Sequence, residues 1–203
     1  MSDIFVFPGG AVDEDDHELA PRLLVNAEHG IDAGYVLTAA RETFEEAGML
    51  FADRPLAHVA LAQARRAVLA SEMRFADALV QLDARVDAAQ LRYFSRWITP
   101  PSEPRRFDTR FFVARAPHDQ VAEVDAAEVH DGRWVRPADA LAAYRRGEIG
   151  MIFPTIKHLE RIAPFRSVDE LLDFASQKTI VTVSPEVSDE RVFSLTPELE
   201  NAW

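Results

Sequence analysis

Three glutamates, Glu42, Glu45 and Glu46, follow Arg41 in the run RETFEEAGM. If that run is helical, their i, i+3 and i+4 spacing puts all three on one face. Carboxylates crowded on a single turn repel one another, and a hard divalent cation with oxygen ligands is the natural compensation. Arg41 sits beside the same face, four residues before Glu45, within reach of a salt bridge. A solvated acidic helix face would carry the same residues, so the triplet alone does not decide between metal chemistry and plain solvation.

The helix that must carry these residues is the clearest in the chain. Val36, Leu37, Ala40, Phe44 and Ala47 recur at helical spacing opposite the glutamates, with Asp32 as N-cap and Gly48 just past the end. Upstream, residues 4–7 read as a short strand stopped by Pro8, Gly9 and Gly10. The acidic stretch 11–32 is weakly periodic and reads as a surface excursion with at most a short helix. Residues 57–70 and 75–84 read as two Ala/Leu-rich helices, and 91–98 and 107–116 as strands. In the second strand Phe107, Thr109, Phe111 and Val113 face one way, and Asp108, Arg110 and Phe112 the other. RWVRP, 133–137, reads as a short strand, followed by a helix opened by Pro137 and closed at Gly147. Residues 155–162 and the capping-box pair Ser167 and Glu170 predict two further helices, 179–183 a last strand, and the tail is polar. Strand, helix, helices, strands, helices is the order of a mixed α/β or α+β domain with a helical insert.

Composition narrows the function classes. With 203 residues, 48% of them apolar and 28% charged, the chain can bury a real core and is not of disordered type. Its net charge of −12 supplies no positive field to gather nucleic acid or an anionic membrane, whereas a phosphorylated small molecule can still bind through a metal cation. The absence of cysteine removes disulfides, thiolate zinc sites and cysteine nucleophiles together. There is no apolar run long enough to span a membrane and no signal-peptide pattern, so a cytoplasmic protein is expected. His17, His29, His58, His118, His130 and His158 form no HxxxH or HxH pair. Dinucleotide, P-loop and esterase glycine motifs are also missing.

With Gly10 before it and Gly48-Met49 closing it, the run resembles the signature of the Nudix hydrolases: a Gly, five residues, a Glu, seven residues, then R-E-U-x-E-E-x-G-U, U being bulky and apolar. Arg41, Glu42, Glu45, Glu46, Gly48, Met49 and Gly10 match, while Thr43 replaces the first U. Asp16 takes the place of the first Glu, and 24 residues rather than seven separate it from Arg41, an insertion of seventeen. That insertion, together with VFPGG, WITP, RRFDTRFF and a later W-x-x-P before a helix, resembles the coenzyme A diphosphatase-like branch, the group of the Nudix motif 19 proteins.

The resemblance implies a single Nudix domain over 1–203. Its fold would be an α/β/α sandwich around a mixed β-sheet, with an insertion at 17–40, a helical insert at 57–90, and C-terminal helices and tail at 155–203. It implies metal-dependent hydrolysis of a nucleoside diphosphate linked to another moiety, coenzyme A or acyl-coenzyme A among the candidates. ADP-ribose, NADH or a nucleotide sugar, or a ligand-binding module of weak turnover, are the alternatives. Mg²⁺ or Mn²⁺ would be held by Glu45, Glu46 and Glu42, with the Gly10 carbonyl approaching it. Glu42 doubles as a candidate general base, and Arg41 would orient the carboxylates. The family often draws one more carboxylate from a loop; among Glu123, Asp125 and Glu128, Glu128 is chosen because it precedes Trp134 by six residues. Arg105, Arg106 and Arg110 are phosphate-binding candidates by the geometry of their side chains, Arg106 and Arg110 foremost, although Arg110 could instead pair internally with Asp108. Trp97 and Trp134 could stack on a base, but strand aromatics are more often core, so neither is counted in the site. The partner expected is a small nucleoside diphosphate, with neither nucleic acid nor membrane, and a homodimer is admitted. Members of the branch carry strand material before the first Gly, so a late-called start is expected from the eight residues that precede Gly9.

Overall fold

The computed structural model describes residues 4–27, 30–122 and 132–203. Its elements are β1 (Ile4–Phe5), α1 (Glu14–Leu23), β2 (Leu24–Val25), α2 (Ala33–Ala47), α3 (His58–Leu69), α4 (Phe75–Gln81), β3 (Val86–Asp87), a 3-10 turn at Ala88–Gln90, β4 (Leu91–Ile98) and β5 (Asp108–Ala114). Then follow α5 (Pro137–Arg145), β6 (Gly150–Met151), α6 (Phe153–Ile162), α7 (Val168–Gln177), β7 (Thr182–Val183), β8 (Glu186–Val187), β9 (Phe193–Ser194) and α8 (Pro197–Ala202). They gather into two compact units, an acidic one of Pro8–Leu91 and Ala114–Trp134, and an aromatic one of Met1–Phe7, Arg92–Val113 and Val135–Trp203.

In the acidic unit α2 is defined at both ends by its sequence. The Asp32 side chain accepts the Gly34 N–H at 2.8 Å. Gly48 turns the chain at φ 71°, a left-handed conformation that costs glycine little, and its N–H returns to the Phe44 carbonyl. Val36, Leu37, Ala40 and Phe44 are buried, as the periodicity requires, and the Phe44 ring lies 5.6 Å from that of Phe75 on α4. The 11–32 stretch departs from expectation. It contains the ten-residue helix α1, which packs against α2 and buries Asp16, Ala20 and Leu23. Those three fall on one helical stripe, but a carboxylate opens the stripe and Pro21 interrupts it, which hides the amphipathic pattern. In the same unit β2 and β3 pair in parallel, Leu24 with Val86 and Val25 with Asp87.

In the aromatic unit a sheet of order β5-β4-β7 is joined by parallel pairing of β4 with β7, Trp97 opposite Val183. Phe94, Trp97, Ala175, Val183 and Trp203 form its core, with Phe111 and Val113 of β5 packed against them. His158 of α6 is buried among these rings, 4.0 Å from the Phe111 centroid. Its Nδ1–H donates to the Pro154 carbonyl and its Nε2 accepts from the Ser95 hydroxyl, both at 2.6 Å. Burial, with a smaller push from the Lys178 charge, lowers its pKa to about 4 against the hydrogen bond to Pro154, so the neutral ring fits both partners. The polar tail is not a loose end: Trp203 is 2% exposed. Residues 133–137 do not pair as a strand up to Pro137, and Trp134 is 73% exposed rather than core. Phe107 precedes β5 and is exposed instead of facing the core. No helix among the described residues is long and apolar enough to cross a membrane.

Candidate active site

The acidic face of α2 is organised around Arg41. Its side chain is only 12% exposed and spreads its donors over a set of acceptors. Nε donates to the Asp16 carboxylate at 3.2 Å and Nη2 to the same group at 2.9 Å. Nη1 donates to Glu42 Oε1 at 2.8 Å and lies 3.5 Å from Glu45 Oε2, the expected i, i+4 pair. Nη2 also reaches the Ala11 carbonyl at 3.0 Å, tying the loop after Gly10 to the helix. Burial works against the guanidinium charge, but Asp16, Glu42 and Glu45 outweigh it and hold its pKa above the ordinary value.

Asp16, which the sequence leaves out of the expected site because it is one methylene short of the usual Glu and is followed by an insertion, proves to be the main partner of Arg41. It is 4% exposed and, besides Arg41, accepts the Thr38 hydroxyl at 2.8 Å and the Asp13 N–H at 3.1 Å. The shorter side chain and the insertion after it do not remove it from the site, because α1 brings it onto α2 directly. The signal that could have found it was the spacing from Gly10, which holds although the downstream spacing does not.

The PGG turn approaches the same face. The Gly9 N–H donates to Glu46 Oε2 at 3.2 Å. A Cβ at Gly10 would collide with the Glu42 carboxylate, so only glycine leaves that carboxylate its place. Burial pushes the Glu42 pKa up from the usual carboxylate range; Arg41 opposes this and Asp13 and Asp16 add to it. Five of the expected site residues, Gly10, Arg41, Glu42, Glu45 and Glu46, thus belong to one arrangement within one unit. Its donors are hard oxygens on adjacent turns, beside a cradle free of side chain, and that chemistry fits Mg²⁺ or Mn²⁺. Among the described residues no three acidic or histidine side chains converge into a ready cage; the carboxylates are engaged with Arg41 and the Gly9 amide instead.

The remaining expectations lie elsewhere. Glu128, with Glu123 and Asp125, falls outside the described residues. Arg106 and Arg110 belong to the aromatic unit. Arg106 donates to the Thr99 carbonyl at 3.0 Å. Arg110 donates to the Asp108 carbonyl at 2.8 Å and pairs with its carboxylate at 2.9 Å, the internal pairing the sequence admitted. One residue had no sequence signal at all: Arg65 of α3, whose guanidinium donates to the main-chain carbonyl of Glu45.

The family model described as the NUDT19 Nudix domain matches residues 24–162, a span that runs through both units. The human acyl-coenzyme A diphosphatase NUDT19 is 30% identical over 159 residues, covering 70% of this chain and 42% of that protein. A putative nudix hydrolase 7 of Caenorhabditis elegans is 23% identical over 185 residues, 91% of this chain and 59% of its own length. A crystal structure of a NUDIX hydrolase from Alicyclobacillus acidocaldarius superposes with a TM-score of 0.69 at 32% identity, covering 84% of this chain and 80% of that one. The chain spans about half the length of the curated relatives it matches.

Proposed function

Because the chain belongs to the Nudix hydrolases, in the family of the NUDT19 Nudix domain, we propose that it is a metal-dependent diphosphatase acting on coenzyme A or an acyl-coenzyme A. The observation that carries this reading is the Arg41-centred turn, in which Glu42, Glu45 and Glu46 share one helix face against Gly9 and Gly10. The coenzyme A part rests on the relatives' names, acyl-coenzyme A diphosphatase NUDT19 in human, chicken and frog.

Glu45, Glu46 and Glu42 would hold the cation, with the Gly10 carbonyl beside them. When bound, Mg²⁺ or Mn²⁺ supplies Lewis acidity, lowering the pKa of a water and neutralising charge on the diphosphate. Arg41 would keep the carboxylates aimed, since its charge offsets their mutual repulsion. Glu42 holds a proton more readily than an ordinary carboxylate, which suits it to take one from the attacking water. Water adds to one phosphorus, the bridging P–O bond breaks, and two phosphomonoesters leave. Glu128 is proposed as the loop carboxylate that assists, and Arg106 and Arg110 as partners of the substrate phosphates, on residue type and charge.

The test is hydrolysis of coenzyme A, an acyl-coenzyme A, ADP-ribose, NADH and a nucleotide sugar with and without Mg²⁺ or Mn²⁺, with Glu46→Gln alongside. Coenzyme A esters should turn over best, chelation should stop the reaction, and Glu46→Gln should lose about 100-fold or more, beyond what losing an outer partner costs. Preference for ADP-ribose, NADH or the sugar would keep the chemistry and replace the substrate. Metal-independent turnover would refute the metal-dependent mechanism, and no turnover from folded protein would refute the enzyme reading.

A further inference from the structure

We infer that Arg65, on the helical insert and outside the signature run, is a positioning residue for the metal-binding turn of α2. The inference rests on the metal-dependent reading above and asks what holds that turn in register. The last four carbonyls of any helix lack an amide partner within it. At the end of α2 the chain folds back at Gly48, whose N–H returns to the Phe44 carbonyl at 3.0 Å, while the Met49 N–H reaches Thr43 at 3.5 Å. The Glu45 carbonyl is taken instead by Arg65, through Nε at 3.1 Å and Nη2 at 2.8 Å. Arg65 is 7% exposed, a buried cation at the negative end of the helix dipole.

The residue so fixed is itself an expected ligand. Glu45 is held at both ends, its carboxylate near Arg41 Nη1 and its main chain by Arg65, and Glu46 follows it directly. Side chains can aim at a cation only if the backbone that bears them is immobile, so the guanidinium fork acts on the metal site without touching it. A lysine could offer the charge, but not two N–H groups in one plane set by the guanidinium.

The experiment measures Mn²⁺ binding alone, by the loss of the free-ion electron paramagnetic resonance signal, on the full chain. The proteins are the wild type, Glu46→Gln, Arg65→Met and Arg65→Lys, with far-UV circular dichroism and melting recorded for each. Arg65→Met should weaken Mn²⁺ binding by about tenfold or more, and Arg65→Lys should recover part of that loss. A folded Arg65→Met protein whose Mn²⁺ affinity stays within twofold of wild type overturns the assignment. If Arg65→Met does not fold, Arg65→Lys decides: weaker binding at an unchanged melting temperature supports positioning, and wild-type binding overturns it. If neither folds, Arg65 is a folding residue and the assignment is withdrawn. Equal binding by wild type and Glu46→Gln would sink the metal reading of α2 itself. Binding that responds to Glu46→Gln and not to Arg65 sinks only this inference.

Discussion

Arg41 in the acidic unit and His158 in the aromatic unit are both largely withdrawn from water, and burial leaves them in opposite states. Desolvation disfavours the charged form of each. Arg41 keeps its charge, as a guanidinium does at any ordinary pH, and Asp16, Glu42 and Glu45 offset the cost of burying it, whereas His158 meets a carbonyl, a hydroxyl and the like charge of Lys178, and becomes neutral. The surroundings differ in kind as well. Glu42 and Glu45 keep 12% and 24% of their side chains open to water, while Phe94, Trp97, Phe111 and Trp203 close on the imidazole. Charge compensated on several sides and left partly open is what ion chemistry needs; a neutral, sealed polar pair gives a core its geometry and no reactivity.

The contrast can be broken at its strongest point by Asp16→Ala. Removing the buried counter-charge should cost roughly 3–5 kcal/mol in urea unfolding, because Arg41 would be left withdrawn from water without its main partner. A cost within the range of a surface pair, about 1 kcal/mol or less, would mean that Arg41 is held by the glutamates instead.

Next in size is the pH dependence of the other pair. The folded-state pKa of His158, about 4, lies below its ordinary value of 6.5, so this contribution to stability is fully present above pH 6.5. As pH falls from 6.5 toward 4 the unfolded chain takes up a proton that the folded chain refuses. Stability should then fall by up to about 1.4 kcal/mol per pH unit, roughly 3 kcal/mol in all. Urea midpoints of wild type and His158→Gln across that window give the difference directly; two parallel curves would contradict the neutral, sealed imidazole.

Gln120 tests whether neutral clamps matter in the acidic unit too. Its Oε1 accepts the Leu50 N–H at 2.8 Å and its Nε2 donates to the Leu50 carbonyl at 2.9 Å, so Gln120→Ala should cost about 1–2 kcal/mol. The smallest effect concerns the helix start. A Cβ at Gly34 would meet the half-exposed His17 ring, which can swing away, so Gly34→Ala should be nearly neutral in wild type. In a His17→Ala background it should stabilise by up to about 1 kcal/mol, the helix preference of alanine over glycine; thermal melts of the four proteins complete that cycle.

The sequence announced α2 because every local signal agrees there: apolar period, Asp32 at the start, Gly48 at the end, and the glutamate spacing. It concealed α1 because a buried carboxylate occupies an apolar stripe, and a residue buried for its partner looks the same as one exposed for its charge. Arg65 was invisible for a different reason, since its target is a main-chain carbonyl, which has no letter in the sequence. Trp203 likewise finds its place through packing between segments far apart in the chain, which no local pattern encodes.

The parallel pairing of β4 with β7 and the burial of Trp203 also set an order of events at the ribosome. All segments of the acidic unit have been synthesised once Trp134 is added, so α2 can find its finished surroundings early. The aromatic unit must wait for Val183 to lie beside Trp97 and for Trp203 to close on Phe94. Until then Phe94, Trp97 and Phe111 lack the partners that cover them, and uncovered aromatic surface of that kind is where aggregation of an unfinished chain would begin.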